Sequence, residues 1–239
     1  MKYMGSKRRI WSQILPIMLK KYDGEVFVDA FCGGCNLIEH VEGLKKIAND
    51  NNPYLMAMWE SLCSGVRFTE RIEREYYNDV RMCYNNKDYS RYSMAEIGWV
   101  GFMASMNGRF FDGGYSGHCV GKRDYIGESV RNVLKQVPHL SGVVFSCCDY
   151  SELQLPEHSL IYCDIPYAGT KKYSSSLDFD YERFYDWCRN MAKDGHIVFV
   201  SEYCMPNDFE CICEGSLTNS MATKNTYNTV ERLFTINVG

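Results

Sequence analysis

No run of apolar residues in this chain is longer than a strand, so no segment reads as a membrane-spanning helix. The opening Met1-Lys2-Tyr3-Met4-Gly5-Ser6-Lys7 lacks the apolar stretch of a secretory signal, and a cytoplasmic protein is expected. Acid is missing from residues 1–22, which carry Lys2, Lys7, Arg8, Arg9, Lys20 and Lys21. The net charge of −4 excludes a wholly basic nucleic-acid coat, so this basic segment suggests a localised anionic partner. For Lys20 and Lys21 the plainer reading, a solvated helix face, is preferred. Internal repeats and low-complexity stretches are absent. Zinc-finger and zinc-ribbon spacings are missing too: Cys147-Cys148 and Cys211-x-Cys213 have no histidine at the usual interval, and no metal is expected.

Cysteine itself is plentiful, at twelve residues. Cys147, Cys148, Cys163, Cys188 and Cys204 sit in apolar runs, where a free thiol behaves as a small hydrophobe. In a cytosolic chain they read as reduced. Cys32-Gly33-Gly34-Cys35 follows a strand and opens a helix, which leaves a thioredoxin-like redox pair open. Of the 239 residues, 46% are hydrophobic, enough for a substantial core without disulfides.

Strand patterns fall at residues 26–31, 47–50, 143–146, 160–163 and 197–201, with a closing pair at 209–213 and 230–236. Helical patterns fall at 36–42, 54–63 (with Pro53 at its favoured first position), 130–137 and 181–192. Residues 68–106 read helical throughout, and 107–127, rich in glycine and aromatics, is too long for an idle connector. Alternating strands and helices predict an α/β fold with a mostly parallel sheet. Residues 67–137 interrupt it as an inserted, mainly helical subdomain, leaving 1–66 and 138–239 as the main domain.

The junction at Asp164-Ile165-Pro166-Tyr167 carries the most chemistry. It puts a carboxylate, a proline-fixed turn and an aromatic ring just past a strand's C-terminal end, where open α/β sheets bind ligands. An acceptor, a carbonyl and a stacking ring can grip a flat, amino-bearing heterocycle. The bland alternative is a turn that merely ends a strand. Asp29-Ala30-Phe31-Cys32-Gly33-Gly34 is a strand-end acid followed by a glycine turn that lets backbone approach a ligand. Asp50 ends the next strand, about 20 residues on, where an acid grips ribose hydroxyls. These two features alone leave a dinucleotide site open, although the glycines miss the G-x-G-x-x-G spacing.

In this order, the N-terminal motif, the glycine turn, Asp50, the long insert and the Asp-x-Pro-Tyr turn resemble the Dam-type DNA adenine methyltransferases of bacteria and their phages. Residues 195–203 and 224–232 resemble the phage-like members. The resemblance implies a Rossmann-like sheet with a closing antiparallel strand, S-adenosyl-L-methionine as cofactor and double-stranded DNA as partner. It implies a monomer or weak dimer in a bacterial host, acting as a restriction-modification or orphan phage methylase. Tyr3, Gly5, Ser6 and Lys7 would contact the cofactor. Asp29, Phe31, Cys32, Gly33, Gly34 and Asn36 would surround it, with Asp50 and Asn51 at its ribose and Asp149 near its adenine. Asp164 would lie between cofactor and target base, with Ile165, Pro166 and Tyr167 completing the catalytic turn. Ile165 departs from the family's proline there, but supplies the same backbone carbonyl.

Within the insert, Asn107, Arg109, Tyr115, Lys122 and Arg123 combine donors and aromatic wedges suited to DNA, while Arg8 and Arg9 read as phosphate contacts. A glycine-rich loop packing its own aromatics is the plain alternative. Two further functions stay open: the same chemistry on another planar amine (cytosine, RNA adenine or protein glutamine), and a catalytically silent DNA-binding module.

Overall fold

A computed structural model of the chain describes residues 1–118, 121, 123–167, 179–216 and 230–236. Its strands are β1 (Val26–Asp29), β2 (Lys45–Asn49), β3 (Val143–Ser146), β4 (Leu160–Asp164), β5 (Ile197–Glu202), β6 (Phe209–Ser216) and β7 (Val230–Ile236). They form one sheet in the order β3-β2-β1-β4-β5-β7-β6. β1 to β5 are parallel, and β7 runs antiparallel to both β5 and β6. The predicted Rossmann-like α/β architecture with a closing antiparallel strand is therefore the one observed.

The central strands are buried on both faces, which explains their unbroken apolar runs. Phe27, Leu160, Tyr162 and Phe199 face one hydrophobic cluster. Val28, Ile161, Cys163, Val198 and Val200 face the other, which holds Phe184, Trp187 and Cys188. These last three belong to a helix of residues Tyr181–Lys193. Because β1 and β4 are neighbours while β2 lies on the other side of β1, the sheet order reverses between β1 and β4. Crevices for ligands form at such switch points.

The helices are α1 (Trp11–Lys20), α2 (Pro53–Cys63), α3 (Arg74–Asn86), α4 (Met94–Ala104), α5 (Tyr125–Gln136) and α6 (Tyr181–Lys193). Asn52 caps α2 by accepting from the amides of Tyr54 and Leu55, with Pro53 at the first position as predicted. Residues of α3, α4 and α5 (Tyr77, Val80, Trp99, Val130) share one cluster with Met18 of α1 and Trp59 of α2. The helices between β2 and β3 thus pack on the same side of the sheet as the N-terminal helix.

Three local expectations need correction. Residues 36–42 form only a short 3-10 turn, Ile38–His40. Left-handed Cys35 and Gly43 bracket it (φ 54° and 74°), so too few residues remain to propagate an α-helix. The 68–106 block is not helical throughout, because α3 starts only at Arg74 and stops at left-handed Lys87, and α4 starts afresh at the Ser93 cap. Between them, Asp88 accepts from the amide and hydroxyl of Ser90, a local bond that competes with helix. Finally, α5 begins at Tyr125 rather than 130, because Asp124 caps it through the amide of Gly127.

Candidate active site at the β1–β4 crevice

The C-terminal ends of β1, β2 and β4 bring Asp29, Asp50 and Asp164 to one edge of the sheet. Asp29 is buried, and its Oδ1 has no hydrogen-bond partner. Burial first, then Asp164 and Asp50, raise its carboxyl well above the usual range, with the Phe31 amide and Lys7 opposing. Asp50 accepts from the Gly33 amide at 3.1 Å and the Asn52 amide at 2.9 Å. Burial nevertheless lifts its carboxyl.

Over the glycine turn lies the ring of Tyr3. A methyl group at Gly33 would stand 2.5 Å from that ring, and one at Gly34 would stand 2.8 Å from the Tyr3 Cβ. Gly33 also has φ +46°, so two constraints fix glycine here. Trp59 of α2 donates to the Gly33 carbonyl at 3.1 Å and anchors the turn from behind. The Tyr3 hydroxyl is pushed up by burial and then by Asp50, Cys32 and Asp164.

Lys7 opens the 3-10 turn Lys7–Arg9, which Ser6 caps through the Arg8 amide, after left-handed Gly5. Although only 5% exposed, its ammonium reaches Asp164 Oδ1 at 2.5 Å, Glu231 Oε1 at 2.9 Å and the Gly5 carbonyl at 3.0 Å. Burial opposes the Lys7 charge, but the two carboxylates outweigh it and hold the ammonium above its ordinary range. At Asp164 burial dominates instead, and despite Lys7 the carboxyl is pushed up to about 6.

Beyond Asp164, Ile165 is buried at 2% exposure in the cluster that faces α6. The Pro166 carbonyl accepts from Tyr181 at 2.9 Å. The Tyr167 hydroxyl donates to Glu231, its ring meets Tyr203 edge-on at 4.6 Å, and Lys7 lies 4.8 Å from its centroid.

A profile of the D12 class N6 adenine-specific DNA methyltransferases matches residues 3–208. The chain belongs to that family. It is 26% identical over 215 residues to the Type II methyltransferase M.FokI of Planomicrobium okeanokoites. The aligned part covers 78% of this chain and 31% of M.FokI, so the chain spans under a third of that relative's length.

Other residues singled out in the sequence fall less centrally in this family member. Asn36 accepts from the Met1 amine at 2.9 Å. Phe31 packs with Tyr150 and Phe184 at 5.4 and 5.9 Å, and Asn51 is exposed. Asp149 caps the short turn Tyr150–Glu152 and pairs with Arg183 at 3.0 Å. Burial notwithstanding, Ser151 and Arg183 hold its carboxyl below the usual range. Cys32 and Cys35 are buried, and burial raises both thiols, the reverse of what a reactive redox pair requires. Among the described residues no group of three or more His, Cys, Asp and Glu could hold a metal, and no helix is long and apolar enough to cross a membrane.

Of the residues between β2 and β3 singled out in the sequence, Arg109 and left-handed Asn107 are exposed. Tyr115 donates to the Ile72 carbonyl at 2.7 Å and packs on Tyr77, while Arg123 pairs with Glu128 at 2.7 Å. Lys122 and residues 224–229 lie outside the described residues. Sequence reasoning gave no role to Glu231, Glu202, Tyr203 or Tyr181. The only available signal was that the first three lie in the C-terminal stretches that resemble phage-type members.

Proposed function

We propose that the protein transfers a methyl group from S-adenosyl-L-methionine to the exocyclic amino nitrogen of an adenine turned out of double-stranded DNA. The observation that carries this reading is the Asp164 carboxylate at the sheet's switch point, with the Tyr167 ring beside it and Asp29 and Asp50 close by. Three clustered acids, one of them Asp29 with an oxygen that has no partner, suit a ligand that bears both an ammonium and a sulfonium, since a bound cation would offset the burial that raises the Asp29 carboxyl. Asp29, Asp50, Tyr3 and the Gly33–Gly34 turn would hold it. When bound, the cofactor supplies an electrophilic methyl group.

The chain's own residues do the rest. Adenine's amine is a poor nucleophile because its lone pair is delocalised into the ring. The Asp164 carboxylate and the Ile165 carbonyl accept hydrogen bonds from its two hydrogens, which favours a pyramidal nitrogen with a localised lone pair; as the new N–C bond formed and the S–C bond to the methyl broke to leave a thioether, one of these protons would pass by way of Asp164 to solvent. Tyr167 stacks on the base. Alignment of this kind contributes up to ~7–11 kcal/mol, against a few kcal/mol for extracting the base from the duplex. Only the ionised Asp164 accepts fully. Methylation should therefore decline as pH falls through about 6 and stay level from 7 to 8.

Incubation with labelled S-adenosylmethionine and mixed-sequence DNA, followed by base mapping, tests the assignment. Label on adenine N6 is expected. Label on cytosine, on RNA, on protein, or nowhere would refute it.

DNA is proposed to lie along the N-terminal turn and the insert loop. The Gly108 α-carbon abuts the Lys2 carbonyl so closely that a side chain there would collide with it, so exposed Arg8, Arg9, Asn107 and Arg109 belong to adjoining segments. Replacing Arg8 and Arg9 together with alanine should weaken DNA binding at low salt and flatten its salt dependence by about two phosphate contacts. An unchanged slope would remove these two residues from the interface.

A further inference from the structure

β7 runs antiparallel to β5, so it starts at the edge of the sheet where the parallel strands end. Its second residue, Glu231, is thereby delivered to the crevice, 6% exposed. One oxygen, Oε1, takes both the Lys7 ammonium at 2.9 Å and the Tyr167 hydroxyl. The same ammonium contacts Asp164 Oδ1 at 2.5 Å. Glu231 lies beyond the residues matched by the family profile.

We propose that Glu231 is a positioning residue for the methyl-transfer site. Through Lys7 it sets the Asp164 carboxylate, through the Tyr167 hydroxyl it sets the stacking ring, and it is the second seat for the Lys7 ammonium when an Asp164 oxygen is needed by the incoming amine. The inference rests on the methyl-transfer reading above. Lys7 and the amine compete for Asp164, because both are donors to one carboxylate. A neutral residue at 231 would leave the ammonium wholly on Asp164 and put the amine at a disadvantage.

Charged and titratable groups face Asp164 from every side: Lys7 from the first turn, Glu231 from β7, Glu202 from β5, Asp29 from β1, Tyr162 from its own strand, and Tyr3 and Tyr167. Glu231→Gln removes one negative neighbour and leaves the rest. Its kcat/KM for DNA should fall on the order of tenfold or more, as for loss of a charged hydrogen bond. S-adenosylmethionine affinity should be unchanged, and the acid limb of the pH profile should move to lower pH. Tyr167→Phe cuts the same link without altering charge. It should lower the fluorescence signal of a flipped 2-aminopurine while leaving the acid limb in place.

A Glu231→Gln protein with wild-type kcat/KM and an unmoved limb overturns the proposal. So does a loss that tracks only a lowered Tm. Should Glu231→Gln fail to fold, Glu231→Asp keeps the charge at a shorter reach; wild-type kinetics in both Glu231→Asp and Tyr167→Phe would overturn it equally. A wild-type protein that leaves DNA adenine unmethylated defeats the underlying reading, whereas a methylating wild type with an indifferent Glu231→Gln defeats only the role of Glu231.

Discussion

Asp164→Ala should leave a folded protein that still binds S-adenosylmethionine, more weakly, and methylates DNA at least about 10³-fold more slowly, because a loss of about 4 kcal/mol of alignment is already that large. The fold should survive because Lys7 is not orphaned. It retains Glu231 at 2.9 Å and the Gly5 carbonyl at 3.0 Å. Cofactor binding should persist because Asp29, Asp50 and the glycine turn are untouched, and should weaken because one of three neighbouring carboxylates is gone. Single-turnover kinetics with saturating cofactor, beside calorimetric binding, separate the two effects. Wild-type turnover in this variant would remove Asp164 from the chemistry. Parallel losses in turnover and cofactor affinity would reduce it to a cofactor ligand.

Lys7→Met should cost stability as well as activity. The ammonium stands between two carboxylates in a site almost closed to water, and removing one partner of such a group costs about 3–5 kcal/mol. Urea unfolding at pH 8 reads this loss directly. The pH dependence gives the sign. In the wild type the Asp164 carboxyl already titrates near 6 against an ordinary 3.8, with Lys7 holding it down. Without Lys7 it rises further. A carboxyl raised in the folded state favours folding below its unfolded value, and that contribution is lost as pH rises through the folded one. Wild type and variant lose it alike between about pH 4 and 6, so the gap between them should be level there and widen only above pH 6, where the wild-type loss ends and the variant's continues. A gap that is constant with pH would show that Lys7 acts through packing alone.

The placement of much of the candidate site was legible because its residues sit at strand ends, and strand ends are marked locally. An apolar run closed by Asp164-Ile165-Pro166-Tyr167, or by Asp29 and a glycine turn, identifies both the element and the edge of the sheet at which it ends. The helix errors were local too. Two helices broken by a capping serine and a left-handed lysine carry the same apolar periodicity as one, and a seven-residue stretch cannot show whether it has room to propagate. Tyr115 and Arg123 looked like free DNA contacts, because a sequence does not reveal that Ile72 and Glu128 stand within hydrogen-bond reach.

By itself, the sequence determined the α/β alternation, the acids at the ends of β1, β2 and β4, and the turn that follows β4, since each depends on neighbouring residues alone. The tertiary structure decided the rest. The sheet order set β1 beside β4, α2 and Tyr3 closed over the glycine turn, and a closing antiparallel strand brought Glu231 to a lysine near the other end of the chain. The physical reason is that burial and charge pairing depend on what lies across the sheet. Whether Lys7 is a solvated surface cation or a buried counter-ion to two carboxylates is settled by packing, not by its neighbours in the chain.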